Sequence, residues 1–404
     1  MRYVAHVPLI GGFAIANQNI TKTPPVAVTS YSPFTPNDNL YLNYLRKKNP
    51  NQNIPYFLID KWEENKIRDI QHLIGKIDFA SAIPPCSGLS QAAYHKPGAR
   101  GTSPVNDWMY KSAEFMLGIL RPTVYVFENA PLLYTSAGDL VREKIKEIAR
   151  YHGYAGTFYK TDTLLHGIPQ RRPRTYTILH KGNQAPILEY FKKDAPTTAE
   201  YLKQIPKDAT LQDQYVTREP YIKDFEIVKF CKQKYGDNWR QKFLDMRDHL
   251  SSYGFLHQSG LLEEYQEYVN NLPDAHPNSI KDIAHVIKKI NMGKNFRLSH
   301  RVLIIDKDFI YAVVGEMMER NVHPTEDRRM NIREYLHLMG HPHDFEIDDP
   351  KDYTKLTQNC PVATNEFITK EVVAIIKGER KFSSQRFEMQ NNIKYDGMKS
   401  KKLF

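Results

Sequence analysis

The chain has 404 residues, 41% of them hydrophobic and 12% aromatic. That is enough for two or three packed units and excludes a disordered chain. The net charge of +10 suits a polyanionic partner without choosing one. Cys86, Cys231 and Cys360 are too widely spaced for a disulfide framework or a CxxC metal site. Neither HExxH nor a paired Cys/His spacing is present, so no metal is expected. Sparse cysteine suits a reducing compartment. The opening MRYVAHVPLIGGFAIAN is too short to span a membrane. It reads as a first strand running into a Gly-Gly turn rather than as a signal peptide.

In chain order, strands are expected at Tyr3–Ile10, Ala27–Tyr31, Ile77–Ile83, Thr123–Glu128, Tyr154–Tyr159 and Arg174–Leu179. Helical stretches lie between them at Leu40–Lys48, Asn106–Leu120 and Gly138–Tyr151. This alternation predicts an α/β domain over residues 1–185 with a mostly parallel sheet, ligands lying at the carboxyl ends of its strands. Residues 186–300 are richer in Lys, Asp, Glu, Gln and Tyr. Polar-faced helices are expected there at Asp224–Tyr235, Asn238–Leu250 and Ile280–Ile290. Residues 301–376 return to the first domain. They predict a hairpin from Arg301–Asp306 and Asp308–Val314, then helices Ile332–Met339 and Glu366–Ile376. The tail, 377–404, holds eight Lys or Arg against three acids and is either a frayed solvent-facing end or a nucleic-acid clamp.

Three segments carry candidate chemistry. In DFASAIPPCSGLS, Pro84 and Pro85 fix the backbone ahead of Cys86. A cysteine so placed is either an exposed nucleophile or a small buried hydrophobe beside a turn. In VYVFENAP, Glu128 ends an apolar strand, as a cap for the next helix or as an acid facing a ring nitrogen. In GIPQRRPRTY, Gln170, Arg172 and Arg174 alternate onto one face. Such arginines could bind a phosphate or a pyrimidine carbonyl, or form a solvated basic turn.

In that order and spacing, PPCSG, ENAP and IPQRRPR resemble the cytosine-5 DNA methyltransferase family. The resemblance continues through Val322-His323-Pro324, Arg329, Ile332-Arg333-Glu334 and HPHDF at 341–345 to TQNCPV at 357–362, where Gln358 replaces the family's glycine. It covers roughly residues 1–185 and 300–376. It implies a Rossmann-like methyltransferase sheet with a smaller, largely helical target-recognition region. Cys86 would be the nucleophile that adds to C6 of a cytosine flipped from the duplex. Glu128 would bond N3 and the exocyclic amine, and Arg174 the O2 side, with Arg172 supporting it. Asn129 would hold the loop after its strand.

The resemblance also implies S-adenosyl-L-methionine as cofactor, with Gly11, Gly12, Phe13, Ser30, Tyr31, Asp69, Pro84 and Asn359 around it. Here the pattern departs. Leu9 replaces the first glycine of the family's Phe-x-Gly-x-Gly-Gly, Val7 replaces its aromatic residue, and the preceding acid is absent. Ser30 stands where a ribose-binding glutamate is usual. Three outcomes stay open: S-adenosylmethionine held by different contacts, another one-carbon donor, or a cofactor-free protein that keeps DNA binding or base flipping.

The expected partner is double-stranded DNA. RNA is a second substrate class, and a separate restriction nuclease or partner methyltransferase subunit is compatible with the family. Arg297, His300, Arg301, Arg328 and Arg329 are candidate phosphate contacts.

Overall fold

The computed structural model describes residues 1–395 apart from 33, 35, 52, 61–69, 71, 91–100, 247–250, 294–300 and 306–307. Asp69, Arg297 and His300 therefore lie outside the described residues.

The chain forms two compact units, one of residues 1–195, 338–347 and 358–404, the other of 196–337 and 348–357. The first unit begins with β1 (Tyr3–His6), α1 (Gly12–Thr21), β2 (Ala27–Ser30), α2 (Leu40–Lys48), β3 (Tyr56–Leu58) and β4 (Phe79–Ala82). It continues through α3 (Asp107–Glu114), β5 (Val124–Asn129), α4 (Asp139–Tyr151), β6 (Tyr154–Asp162), the two-residue β7 (Gln170–Arg171) and β8 (Pro173–Lys181). The second unit holds α5 (Thr198–Leu202), α6 (Glu226–Tyr235), α7 (Trp239–Asp245), α8 (Ser252–Gln258), α9 (Leu262–Asn270), α10 (Pro277–Asn291) and β9 (Ile310–Tyr311). After α11 (Ile332–Leu338), the chain returns to the first unit with α12 (Val362–Ile376), β10 (Phe387–Asn391) and α13 (Asn392–Tyr395).

Eight strands make one sheet in the order β10-β6-β8-β5-β4-β1-β2-β3. Only β8 runs against its neighbours, β5 and β6. The period of two along each strand divides the core between the faces. Val4, Ala80, Tyr125 and Phe127 pack on one side, and Tyr3, Phe79, Val124 and Val126 on the other. Burial on both faces explains why these strands read as continuous apolar runs. The fold is the expected mixed α/β architecture with a mostly parallel sheet and a separate helical region.

Several expectations need correction. β1 stops at His6, short of Ile10, because Val7 and Leu9 adopt left-handed backbone at φ 48° and 49°. β3 is an unforeseen edge strand. The helix expected at Asn106–Leu120 is α-helical only to Glu114 and widens into π turns over Phe115–Leu120. The hairpin across 301–314 does not form among the described residues: Ile304 instead bridges Asn321 in parallel. Residues 301–337 fall in the second unit rather than rejoining the sheet. The tail does not fray through residues 387–391, since β10 extends the sheet parallel to β6.

The basic side chains Arg301, Arg328 and Arg329 are committed within the second unit. Arg301 bridges Glu219 and Glu226 at 2.7 and 2.8 Å. Arg328 is held by Glu326 and Glu334, each at 2.7 Å. Arg329 is buried and donates to the carbonyls of Val302 and Arg320. Their guanidinium groups hold this unit together, which corrects their reading as phosphate contacts.

Candidate active site

The candidate side chains come from neighbouring strand ends in the middle of the sheet, at β4, β5 and β8. After β4, Ile83-Pro84-Pro85 carries the chain to Cys86, which precedes a single 3-10 turn, Ser87–Leu89. Leu89 donates its amide to the Cys86 carbonyl at 3.0 Å, and Pro84 and Gly88 are buried. The turn is pinned from outside as well: a Cβ on Gly88 would meet Asn106 Oδ1 and, at 2.8 Å, Ser103 Cβ. Cys86 itself is only partly buried.

Glu128 lies near the end of β5. Because β8 is antiparallel, its first residues reach the same end, with Asn129 opposite Thr175 and Glu128 opposite Tyr176. Arg174 therefore lies diagonal to Glu128, and its Nε sits 2.5 Å from Oε1, both side chains being buried. Asn129 accepts from the Ala130 amide at 2.9 Å and donates to Met109 Sδ at 3.1 Å, holding the loop after the strand. Arg172 is fully buried, and its amide donates to Asp162 Oδ1 at 3.1 Å.

These groups act on one another electrostatically. Burial raises the Cys86 thiol above its ordinary value; Glu128 raises it further, whereas Arg174 and Arg172 oppose the rise. Burial likewise raises the Glu128 carboxyl against the pull of Arg174 and Arg172. Burial lowers Arg172 to about 9, with Arg174 adding to the drop. The site therefore sets a thiol near a carboxyl held toward its neutral form by burial, with cations that favour the thiolate once that carboxyl is neutral.

Two neighbours were not visible in the sequence. Tyr176 donates to Cys360 Sγ at 3.1 Å and to Asn365 Oδ1 at 2.6 Å, tying β8 to the start of α12. Asp162, at the end of β6, accepts from the amides of Arg172 and Leu164 at 3.1 Å each, bracing the turn that presents Arg172 and Arg174. Neither position has a local motif; only strand pairing reveals them.

The second cluster lies at the carboxyl ends of β1 and β2. Gly11 takes φ 98°, and a Cβ there would meet the Tyr41 ring at 2.7 Å. A Cβ on Gly12 would meet the Cys360 carbonyl and, at 2.7 Å, Asn359 Nδ2. Both glycines thus make room for protein. Phe13 is core, edge-on to Tyr176 at 5.9 Å. His6 is buried between Thr29 Oγ1 (2.9 Å) and Ser112 Oγ (2.8 Å), and burial lowers it to about 3, so it is neutral. Ser30 is buried beside Tyr56. Tyr31 is stacked under Trp108 from α3, with ring centres 4.0 Å apart and planes 18° apart. Asn359 Nδ2 is buried with no hydrogen-bond partner among the described residues, so a polar ligand atom suits it. This arrangement fits a ligand at Asn359 but not an aromatic ring on Tyr31, because Trp108 covers that face.

Residues 42–374 match the sequence model of the C-5 cytosine-specific DNA methylase family. The chain belongs to that family. The match takes in Cys86, Glu128, Arg172, Arg174 and Asn359, and it starts after β1, α1 and β2, where the sequence departs most from the family pattern. Among curated relatives, type II methyltransferase M1.HgaI of Avibacterium volantium is 22% identical over 336 residues, covering 76% of this chain and 82% of that protein. Type II methyltransferase M.Bpa9945I of Bacillus paralicheniformis is 20% identical over 322 residues, covering 75% and 71%. Among solved structures, one described as a DNA modification methyltransferase encoded within an E. coli prophage superposes with a TM-score of 0.54 at 14% identity, covering 93% of this chain and 99% of that one. The Entamoeba histolytica methyltransferase EhMeth gives 0.50 at 15% identity, covering 93% and 98%. These superpositions support the shared fold. Family membership associates the chain with S-adenosylmethionine-dependent methylation. No described helix is long and apolar enough to cross a membrane.

Proposed function

We propose that this protein is a cytosine-5 methyltransferase acting on double-stranded DNA, with Cys86 forming a covalent bond to C6 of a flipped cytosine. The observation that carries this reading is the meeting of Cys86, Glu128 and Arg174 at the ends of neighbouring central strands, with Arg172 near enough to act on the thiol. An aromatic C5 is a poor nucleophile. Addition of the Cys86 thiolate at C6 breaks the ring's 5,6 double bond and makes C5 enamine-like. Glu128, whose raised pKa favours the protonated form, gives a hydrogen bond at N3 as negative charge develops in the ring. Arg174 holds the O2 side and stabilises the thiolate. After C5 has been substituted, loss of its proton expels Cys86 and restores the double bond. The base must leave the stack, since C6 is out of reach within a duplex.

S-adenosylmethionine supplies the electrophilic methyl group in this family. Of this chain's residues, Asn359 Nδ2 would donate a hydrogen bond to an acceptor atom of the cofactor, and Tyr31, Ser30 and Pro84 would line the place, with Gly11, Gly12 and Phe13 packed against protein behind them. The Trp108 ring on Tyr31 favours a second reading: a cofactor-deficient homologue that flips bases as a subunit beside another methyltransferase, or that takes another donor. The relatives named as type II methyltransferases support a modification role; a separate restriction nuclease as partner, in the cytoplasm or its viral-infection equivalent, belongs to the same proposal.

The test is expression in a bacterial strain lacking cytosine methylation, followed by mass spectrometry of DNA nucleosides. A 5-methylcytosine peak that disappears with Cys86→Ala is the expected result. A different Cys86-dependent cytosine mass would replace the donor, and DNA binding without modification would favour the cofactor-deficient reading. Methylation confined to RNA would replace the substrate.

A further inference from the structure

In parallel sheets ligands collect at the carboxyl ends of the strands. Here the ends of β1 and β2 are roofed by α3. Trp108 and Ser112 are one helical turn apart and fall on the same face. Trp108 covers Tyr31, and Ser112 bonds His6, which in turn bonds Thr29.

We propose that Trp108 is a gate on the donor cleft, its indole occupying the face of Tyr31 that receives the aromatic ring of the donor. This rests on the assignment of Tyr31 to the donor cleft in the proposed function. The helix under the gate is held without Trp108: Ser112 is buried against His6, and Met109 is buried against Asn129 Nδ2. Trp108 is only partly buried, and its ring also lies within 4.7 Å of Lys111 Nζ. Rotation of one side chain therefore opens the face while α3 stays seated. Phe34 meets Tyr31 only edge-on, with ring centres 5.3 Å apart, so Trp108 is the ring stacked on its face.

The gate is also placed to respond to the base. The turn leading into α3 packs Ser103 and Asn106 against Gly88, two residues beyond Cys86. A shift of the Cys86 turn on engaging a base thus bears on the helix that carries Trp108, and coupling of this kind is reciprocal.

The experiment is calorimetric titration of the full chain with S-adenosylhomocysteine, the demethylated product of the donor. It compares the wild type with Trp108→Ala, Trp108→Leu and Tyr31→Ala. Stacked aromatic pairs contribute enough that freeing Tyr31 tightens binding by about two- to tenfold in Trp108→Ala. Tyr31→Ala weakens it. Trp108→Leu removes the stacked ring while keeping an apolar side chain on the helix; it serves if the alanine variant melts early, and tighter binding is expected there too. Wild-type binding with equal or weaker binding by the folded Trp108 variants would overturn the gate and leave the donor assignment standing. No binding by any of the proteins would overturn both.

Discussion

Glu128 Oε1 lies 2.5 Å from Arg174 Nε, and the pair sits beside the thiol of Cys86. The two members of this pair act on that thiol in opposite directions. The Glu128 carboxylate holds Cys86 in its protonated form, whereas Arg174 favours the thiolate. When Glu128 takes up a proton to face the ring nitrogen of a base, its opposition to the thiolate ends. Under the proposed function, base recognition and nucleophile activation are then two consequences of one protonation.

This yields a prediction in which two activities separate. Glu128→Gln removes the negative charge that raises the Cys86 pKa. At pH 8 the thiolate fraction rises, and alkylation of Cys86 by iodoacetamide speeds up severalfold, a shift of one pKa unit corresponding to about tenfold. Methylation falls by roughly two orders of magnitude or more, because the proton donor is lost. Peptide mass spectrometry at Cys86 and a methylation assay measure the two. Slower alkylation in the variant would show that the carboxylate does not oppose the thiolate.

Gly12→Ala tests the packing of α1 on the start of α12. The new Cβ would press on the Cys360 carbonyl, a backbone atom that cannot rotate away, and on Asn359 Nδ2. Overpacking of this kind costs about 1–3 kcal/mol. Denaturant unfolding should show a lower midpoint. An unchanged midpoint would mean that the two segments are not in such close contact.

Asp162→Asn has a pH-dependent effect on stability. Burial raises the Asp162 carboxyl to about 6, against the hydrogen bonds from Leu164 and Arg172 and the charges of Arg171 and Arg174. In the unfolded chain it titrates near 3.9, at roughly the ordinary value. The folded state therefore holds the proton more firmly, and ionising Asp162 weakens the fold as pH climbs from about 4 through 6. Asparagine keeps an oxygen acceptor for both amides and carries no charge. The variant should melt a few degrees above the wild type at pH 8, on the order of what 1–2 kcal/mol produces, and level with it at pH 4. A lower melting temperature at pH 8 would mean that the charge of Asp162 stabilises the fold.

The sequence by itself located the candidate chemistry, and the family resemblance supplied its proposed roles. Pro84-Pro85-Cys86, Glu128-Asn129 and Gln170 through Arg174 each follow or open an apolar run, and order plus strand period was enough to place them at strand ends. Most strands and the amphipathic helices were legible for the same reason: burial imposes a period that neighbouring residues share. Tertiary structure alone decided what depends on distant partners. The reversal of β8 sets Arg174 against Glu128, 46 positions apart in the chain. The basic residues of the second unit looked available for phosphate until Glu219, Glu226, Glu326 and Glu334 engaged two of them and burial enclosed Arg329. β10 looked like a tail because its polar sequence lacks the apolar run of a central strand, and an edge position does not require one. The ring that covers Tyr31 comes from a helix 77 residues away, so no local pattern foretold it. Local patterns record which face is buried; the identity of the partner across that face exists only after the chain has folded.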